Sequence, residues 1–223
     1  MPVDKKTAAV MYEALQAAYP DAACALHSGS TMELLVATIL SAQCTDERVN
    51  LVTKSLFKKY RTVRDFARAE IADFEREIRS TGFFRNKARN IIRAAQIIEE
   101  RFNGRVPDTM EALVSLPGVA RKTANIILFN AYGKNEGVAV DTHVQRLSQR
   151  IGLSAQRAPE KIEKDLQALF ARQQWGQLSH LLITHGRRIC RARKPDCPSC
   201  GLRQWCVYYR EAAALPRARQ PEA

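Results

Sequence analysis

An all-α fold follows from three features of this sequence: apolar residues that recur at helical intervals nearly throughout, the lack of alternating apolar and polar runs joined by Asn-Gly or Asp-Gly turns, and short breakers that cut the helices apart. The first helical stretch runs near residues 5–18. Ser30 followed by Glu33 has capping-box spacing ahead of Leu34, Leu35, Ile39 and Leu40, which mark the buried face of a second helix. Similar patterns cover 46–60, 70–79, 85–102, 109–115, 121–132, 142–151, 159–170 and 174–188. Asp108 stands where an N-cap would start one of these, and Pro159 where a first-turn proline would start another. Breakers fall at Gly82, Asn103 to Pro107, Pro117-Gly118 and Gly133 to Gly137, so the helices are short and tightly joined. No internal repeat is apparent.

The chain has 223 residues, 46% of them hydrophobic, with 10 Gly and 9 Pro. That composition allows a packed core and excludes a disordered or collagen-like chain. Lys and Arg number 35 against 23 Asp and Glu, a net charge of +12. The resulting field favours polyanions, nucleic acid first among them. Nine of the basic residues lie between Arg187 and Arg219, opposed there only by Asp196 and Glu211. No run reaches the roughly 18 apolar residues of a membrane span, and the N-terminus lacks the basic-then-apolar order of a secretory signal. A cytoplasmic, nucleoid-associated protein with no targeting segment and no membrane partner is expected. Residues 211–223 have the composition of a frayed tail.

In a reducing compartment the six cysteines are thiols or metal ligands rather than disulfides. Cys190, Cys197, Cys200 and Cys206 form the pattern C-x6-C-x2-C-x5-C within seventeen residues. Zinc prefers two closely spaced pairs separated by a longer loop, whereas this pattern has one C-x2-C flanked by longer loops. The spacing favours a 4Fe-4S cluster over zinc, with metal-free thiols as the remaining alternative. A cluster there would staple the loop Arg191-Ala192-Arg193-Lys194-Pro195-Asp196 to the surface, where Arg191, Arg193 and Lys194 suit phosphate contact.

The segment Leu116-Pro117-Gly118-Val119-Ala120-Arg121-Lys122-Thr123-Ala124-Asn125 reads as a helix end, a glycine turn and a new helix start. Backbone N–H groups there, with the helix dipole and Arg121, can hold a phosphate without reading sequence; an ordinary helix-turn-helix connection has the same pattern. Lys122 sits in the first helical turn, where the positive end of the dipole works against a cation, and a lysine that sheds its proton is a nucleophile. A solvated phosphate contact is the simpler reading of the same residue. Nineteen positions later, Asp141 in Val138-Ala139-Val140-Asp141-Thr142-His143-Val144 reads first as an N-cap. Beside an activated lysine it could also stabilise positive charge developing on a sugar, or move a proton.

Taken together, these segments resemble the endonuclease III family of the helix-hairpin-helix DNA glycosylases, across roughly residues 5–208. The resemblance is carried by Leu40-Ser41-Ala42-Gln43-Cys44-Thr45-Asp46, Gly82-Phe83-Phe84-Arg85-Asn86-Lys87-Ala88, the 116–125 segment, Val140-Asp141-Thr142-His143-Val144 and the cysteine spacing. It implies a six-helix barrel domain over 24–134, bearing the hairpin, and a 4Fe-4S cluster domain from 1–23 and 135–210, with DNA between them. It further implies a monomeric bifunctional enzyme that removes oxidised pyrimidines from duplex DNA and nicks the abasic strand, with Lys122 attacking C1′ and Asp141 as the catalytic carboxylate. Gln43 would enter the gap left by an extruded nucleotide and Phe83 would wedge the opened duplex, offsetting the cost of unstacking. Gly118, Ala120 and Arg121 would hold phosphate.

Three departures stand out. Ala120 replaces a usual second glycine, which could keep the backbone farther from phosphate. The 133–137 turn is one residue longer than usual, and Phe83 is bulkier than the common Leu. The adenine-removing relatives lack a lysine at the position of Lys122, so the lyase branch fits better. A catalytically silent protein that binds damaged DNA is the competing class.

Overall fold

In the computed structural model, residues 3–214 are described, and among them every regular element is helical. The elements are α1 (Lys5–Ala18), α2 (Thr31–Leu40), α3 (Asp46–Lys59), α4 (Val63–Ala67), α5 (Ile71–Ile78), α6 (Phe84–Arg101), α7 (Met110–Val114), α8 (Arg121–Tyr132), α9 (Thr142–Ile151), α10 (Pro159–Leu169), α11 (Trp175–Arg188) and α12 (Val207–Ala214), with single 3-10 turns at Arg79–Thr81 and Arg172–Gln174. The chain divides into two compact units, one running from Cys24 to Lys134 and the other formed by the segments before and after it.

The Cys24–Lys134 unit holds α2 to α8. Helix α2 is buried on nearly every side, from Met32 to Leu40, as its almost continuous apolar sequence requires. It packs against α3, α6 and α8, while α4 and α5 lie on α6 and α7 lies on α8. Phe66 of α4 and Phe74 of α5 are fully buried and meet edge to face, centroids 6.2 Å apart, with Tyr60 stacked on Phe66 at 5.4 Å. Buried aromatics of this size are worth several kcal/mol each, about 3–5 on truncation to alanine. The ends of α3 follow electrostatic preference: Thr45 accepts from the Arg48 N–H, Asp46 and Glu47 occupy the first turn, and Lys58 and Lys59 the last.

The other unit is built from α1 and α9 to α12. Helices α1 and α9 pack on α11, and α10 and α12 pack on α9. Its core joins Met11 and Leu15 of α1 to Leu147, Ile162 and Leu178. Helix α10 begins with Pro159 in its first turn, as the sequence suggests.

Four details correct the sequence reading. Thr109, not Asp108, caps α7, its hydroxyl accepting from the Ala112 N–H; Asp108 instead receives the Lys134 ammonium at 2.6 Å. Glu33 does not complete a reciprocal box with Ser30: Ser30 accepts from the Glu33 N–H at 3.2 Å, but the Glu33 carboxylate reaches the Gly29 N–H. Helix α4 arises where no helix was expected. Helix α12 runs through Ala214, so the first residues of the expected tail are helical, while 215–223 lie outside the described residues.

Candidate functional site

Three turns of the Cys24–Lys134 unit carry candidate residues. After α2 the chain tightens through Ala42 N–H to Ile39 O and Cys44 N–H to Ser41 O, leaving Gln43 exposed at the bend with φ 54°. A second bend places Phe83 at the start of α6 with φ 47° and ψ 28°, directly after Gly82 at φ 70°. The Phe83 ring is 64% exposed. It is therefore not a core phenylalanine, and an aromatic ring left in water on a strained backbone is unexplained by folding alone. Lys87, which the sequence reading passed over, is buried nearby, with its Nζ donating to Leu40 O and Thr81 O.

The third turn is the hairpin between α7 and α8. Its bend is closed by Val119 N–H to Leu116 O at 3.1 Å. Gly118 has φ +78°, a conformation that favours glycine, and a Cβ there would lie 3.0 Å from Asn90 Cβ, a contact that Asn90 would have to relieve. Ala120 lies at φ −90°, ψ 170°, extended backbone that alanine adopts freely. The missing second glycine thus imposes no strain on the hairpin. Ala120 supplies no side-chain cap, and the first amides of any helix lack intrahelical acceptors, so the start of α8 is suited to an anion. Arg121 and Lys122 both lie in this first turn with exposed side chains.

Asp141 belongs to the other unit. It caps α9, Oδ1 accepting from the Val144 N–H at 2.8 Å, and is half-buried. The N-cap reading is realised, and it also fixes the carboxylate's orientation. On the Cys24–Lys134 side, α8 ends at Gly133 with φ 65°, Lys134 N–H reaching back to Leu128 O, and Lys134 pairs with Asp108. In the other unit, Glu136 pairs with Arg172 at 2.7 Å, and Asn135 accepts from Arg172 and from the Gly176 N–H.

Cys190, Cys197, Cys200 and Cys206 line one cavity together with Ile151 and Leu202. Burial pushes the Cys200 thiol up to about 11 and raises those of Cys197 and Cys206. Deep thiols of this kind are poor nucleophiles unless a metal displaces their protons. Arg150 faces them. Its guanidinium lies 3.5 Å from Cys190 Sγ and over the Tyr208 ring, and donates to Arg191 O and Ala192 O. Arg146 donates to Gly186 O and Cys190 O. Two arginines that α9 presents therefore hold the cysteine loop by its backbone, turning Arg191, Arg193 and Lys194 outward, where all three are exposed. Sequence reasoning missed both, because on a helix they look like ordinary surface cations. Among the described residues, no three His, Cys, Asp or Glu side chains converge as a single metal ion demands.

Residues 36–172 match the model for the HhH-GPD superfamily base excision DNA repair protein. Endonuclease III of Synechocystis sp. is 52% identical over 192 residues, 86% of this chain and 88% of the relative. Two solved structures, a non-covalent endonuclease III–DNA complex and a trapped endonuclease III–DNA covalent intermediate with an estranged adenine, are each 40% identical with a TM-score of 0.90, covering 95% of this chain and 99% of theirs. With a hairpin whose Gly118 holds a backbone that favours glycine, the family's match over more than half of the chain and this identity over most of it, the chain belongs to the HhH-GPD superfamily of base excision DNA repair proteins.

Proposed function

We propose that the chain removes oxidised pyrimidines from duplex DNA and cleaves the resulting abasic strand by β-elimination, with Lys122 as nucleophile and Asp141 as the assisting carboxylate. That it is a base excision DNA glycosylase with abasic-site lyase activity follows from its family and from endonuclease III relatives at this level of identity. The observation that carries the finer reading is that Lys122 is exposed in the first turn of α8, directly after the phosphate-suited hairpin.

The chemistry asks little else of the chain. Arg121 and the hairpin amides bind the strand, and Gln43 and Phe83 fill the space of the extruded nucleotide. The Lys122 amine forms a bond to C1′ as the base leaves with the glycosidic electron pair; a proton from the amine is taken up by the carboxylate or the departing base. The C1′–O4′ bond then opens, O4′ taking up a proton as the nitrogen lone pair forms a protonated imine; this acidifies the C2′ hydrogen, and loss of that proton to a base breaks the 3′ C–O bond and releases the phosphate. Water returns the amine. Asp141 carries its negative charge into the step in which the sugar becomes cationic. The trapped covalent endonuclease III–DNA intermediate is consistent with an enzyme-bound species of this kind in that relative.

The four thiols that line one cavity, with the Arg150 guanidinium beside Cys190, fit the donor set and charge of a 4Fe-4S cluster, and the C-x6-C-x2-C-x5-C spacing favours that cluster over zinc. When bound, the cluster supplies four metal–sulfur bonds that cross-link the segment 190–206. Arg150 would balance its negative charge; the same guanidinium holds the loop's backbone through Arg191 O and Ala192 O, leaving Arg191, Arg193 and Lys194 to meet phosphate.

Borohydride reduction in the presence of duplex DNA carrying an oxidised pyrimidine or an abasic site tests the reading. Wild-type protein is expected to give a covalent adduct and Lys122→Ala none. Binding of such DNA without any adduct or strand cleavage by the wild type would leave only the silent damage-binding alternative.

A further inference from the structure

Lys87 is a buried cation with no part in the chemistry above, and it joins the two bends that carry Gln43 and Phe83. It lies in the first turn of α6, is 5% exposed, and its Nζ donates to Leu40 O at 2.8 Å and to Thr81 O at 2.7 Å. Leu40 is the last residue of α2, and Thr81 is the last residue of the 3-10 turn before Gly82. Carbonyls at helix ends have no acceptor role left within the helix, and the dipole there favours a cation. From the first carbonyl the chain reaches Gln43 in three residues; from the second it reaches Phe83 in two.

Both residues hold left-handed backbone, φ 54° and 47°, which non-glycine residues avoid. Such conformations persist only where the surroundings over-determine them. On the Gln43 side the bend is held by the two backbone bonds that follow α2; on the Phe83 side Asn86 and Lys87 N–H groups both return to Phe83 O. Each bend is thus braced within itself, and Lys87 bridges one to the other. Burying an ammonium is costly, and burial lowers the Lys87 amine below the ordinary lysine range, opposed by the nearby Cys44. A methylene-rich apolar side chain would serve packing at no such cost.

We propose that Lys87 is a positioning residue for nucleotide extrusion, fixing the spacing of the Gln43 and Phe83 bends so that the two side chains enter the duplex as a preformed pair. The inference rests on the reading of those two side chains as the wedge. It predicts a division by substrate: extrusion from a duplex needs the pair, whereas an abasic site in single-stranded DNA, which has no stack to open, does not.

The experiment compares wild type, Lys87→Met, Lys87→Arg and the double variant Gln43→Ala/Phe83→Ala, alone and combined with Lys87→Met. Base excision from duplex DNA and borohydride trapping on a single-stranded abasic oligonucleotide are measured under single turnover. Lys87→Met should lose at least tenfold on the duplex and less than twofold on the single strand, Lys87→Arg should recover most of the duplex rate by keeping both donors, and Lys87→Met should cost less than twofold more in the double-variant background. Equal losses on both substrates, or a full further loss in that background, would overturn the proposal and make Lys87 merely structural. If the double variant itself excises from duplex at the wild-type rate, the wedge reading fails, a result distinct from additivity in an impaired background. Should Lys87→Met not fold, Lys87→Gln takes its place: it keeps a neutral donor able to reach one carbonyl, and a loss confined to the duplex supports the proposal while equal losses on both substrates overturn it.

Discussion

At the scale of single residues, Asp141 performs a structural task and is proposed for a chemical one, and its geometry allows the two to be separated. The cap needs only an acceptor for the Val144 N–H, now provided by Oδ1 at 2.8 Å. Asparagine supplies that acceptor about as well as aspartate, whereas alanine forfeits roughly 1 kcal/mol. Asp141→Asn is therefore expected to unfold in urea within about 0.5 kcal/mol of wild type, while single-turnover base excision falls by about a hundredfold or more, the usual loss of a positioned proton-transfer group. A drop in stability with excision preserved would reduce Asp141 to its cap. Such residues stand out in the sequence as candidates because they are few and bounded by distinctive neighbours, as Lys122 is by the Pro117-Gly118 turn. What single residues did not disclose was environment: apart from the family resemblance, nothing in the sequence separates the exposed Phe83 from the half-buried Phe84 beside it, nor shows that Lys87 is buried. Both are set by how the chain bends at Gly82.

The longer elements were the most readily legible, although the five-residue α7 was read too, at 109–115. Helices of ten residues or more repeat their apolar period often enough to be read, and α1, α2, α3, α6, α8, α9, α10 and α11 all stand where the pattern puts them. Helix α4, as short as α7, was missed, yet it did carry a signal in Thr62 and Asp65, which form a reciprocal capping box in the structure. Helix α12 was hidden by an alanine-rich composition that reads equally as tail. For the hairpin the sequence suggested that Ala120 keeps the backbone farther from phosphate; the structure adds that the backbone there is extended and unstrained. Gly118 has φ +78° and little room for a Cβ beside Asn90; Ala120 meets neither constraint. Gly118→Ala is thus expected to cost about 1–2 kcal/mol from the left-handed backbone alone and to weaken binding to abasic duplex, because the turn must shift. Ala120→Gly should change DNA affinity less than twofold and cost under about 1 kcal/mol through backbone entropy. Measured affinities in the opposite order would mean that phosphate approaches the hairpin at residue 120 and not through the Gly118 turn.

Across the whole molecule the dominant fact is electrostatic, a net charge of +12 with a surplus concentrated near the cysteine loop. A phosphate-binding surface of this kind releases condensed cations on binding, so log affinity should fall linearly with log salt, each neutralised phosphate contributing about 0.9 to the slope. The structure ties part of that charge to a specific support: Arg193 and Lys194 are exposed on a loop whose backbone is held by Arg150 through Arg191 O and Ala192 O, and whose ends are Cys190 and Cys197. Removing both side chains in Arg193→Ala/Lys194→Ala should lower the slope by about 2 on undamaged duplex, if each meets one phosphate. Cys197→Ser leaves the same charges in the chain but removes one ligand from the cavity, so its effect separates charge from support. If the loop acts only as a diffuse positive patch, Cys197→Ser keeps the wild-type slope. If the four cysteines hold it in register with the phosphates, the slope falls toward that of the double variant even though no charge has been lost, and fluorescence-anisotropy titrations across a range of salt concentrations distinguish the two.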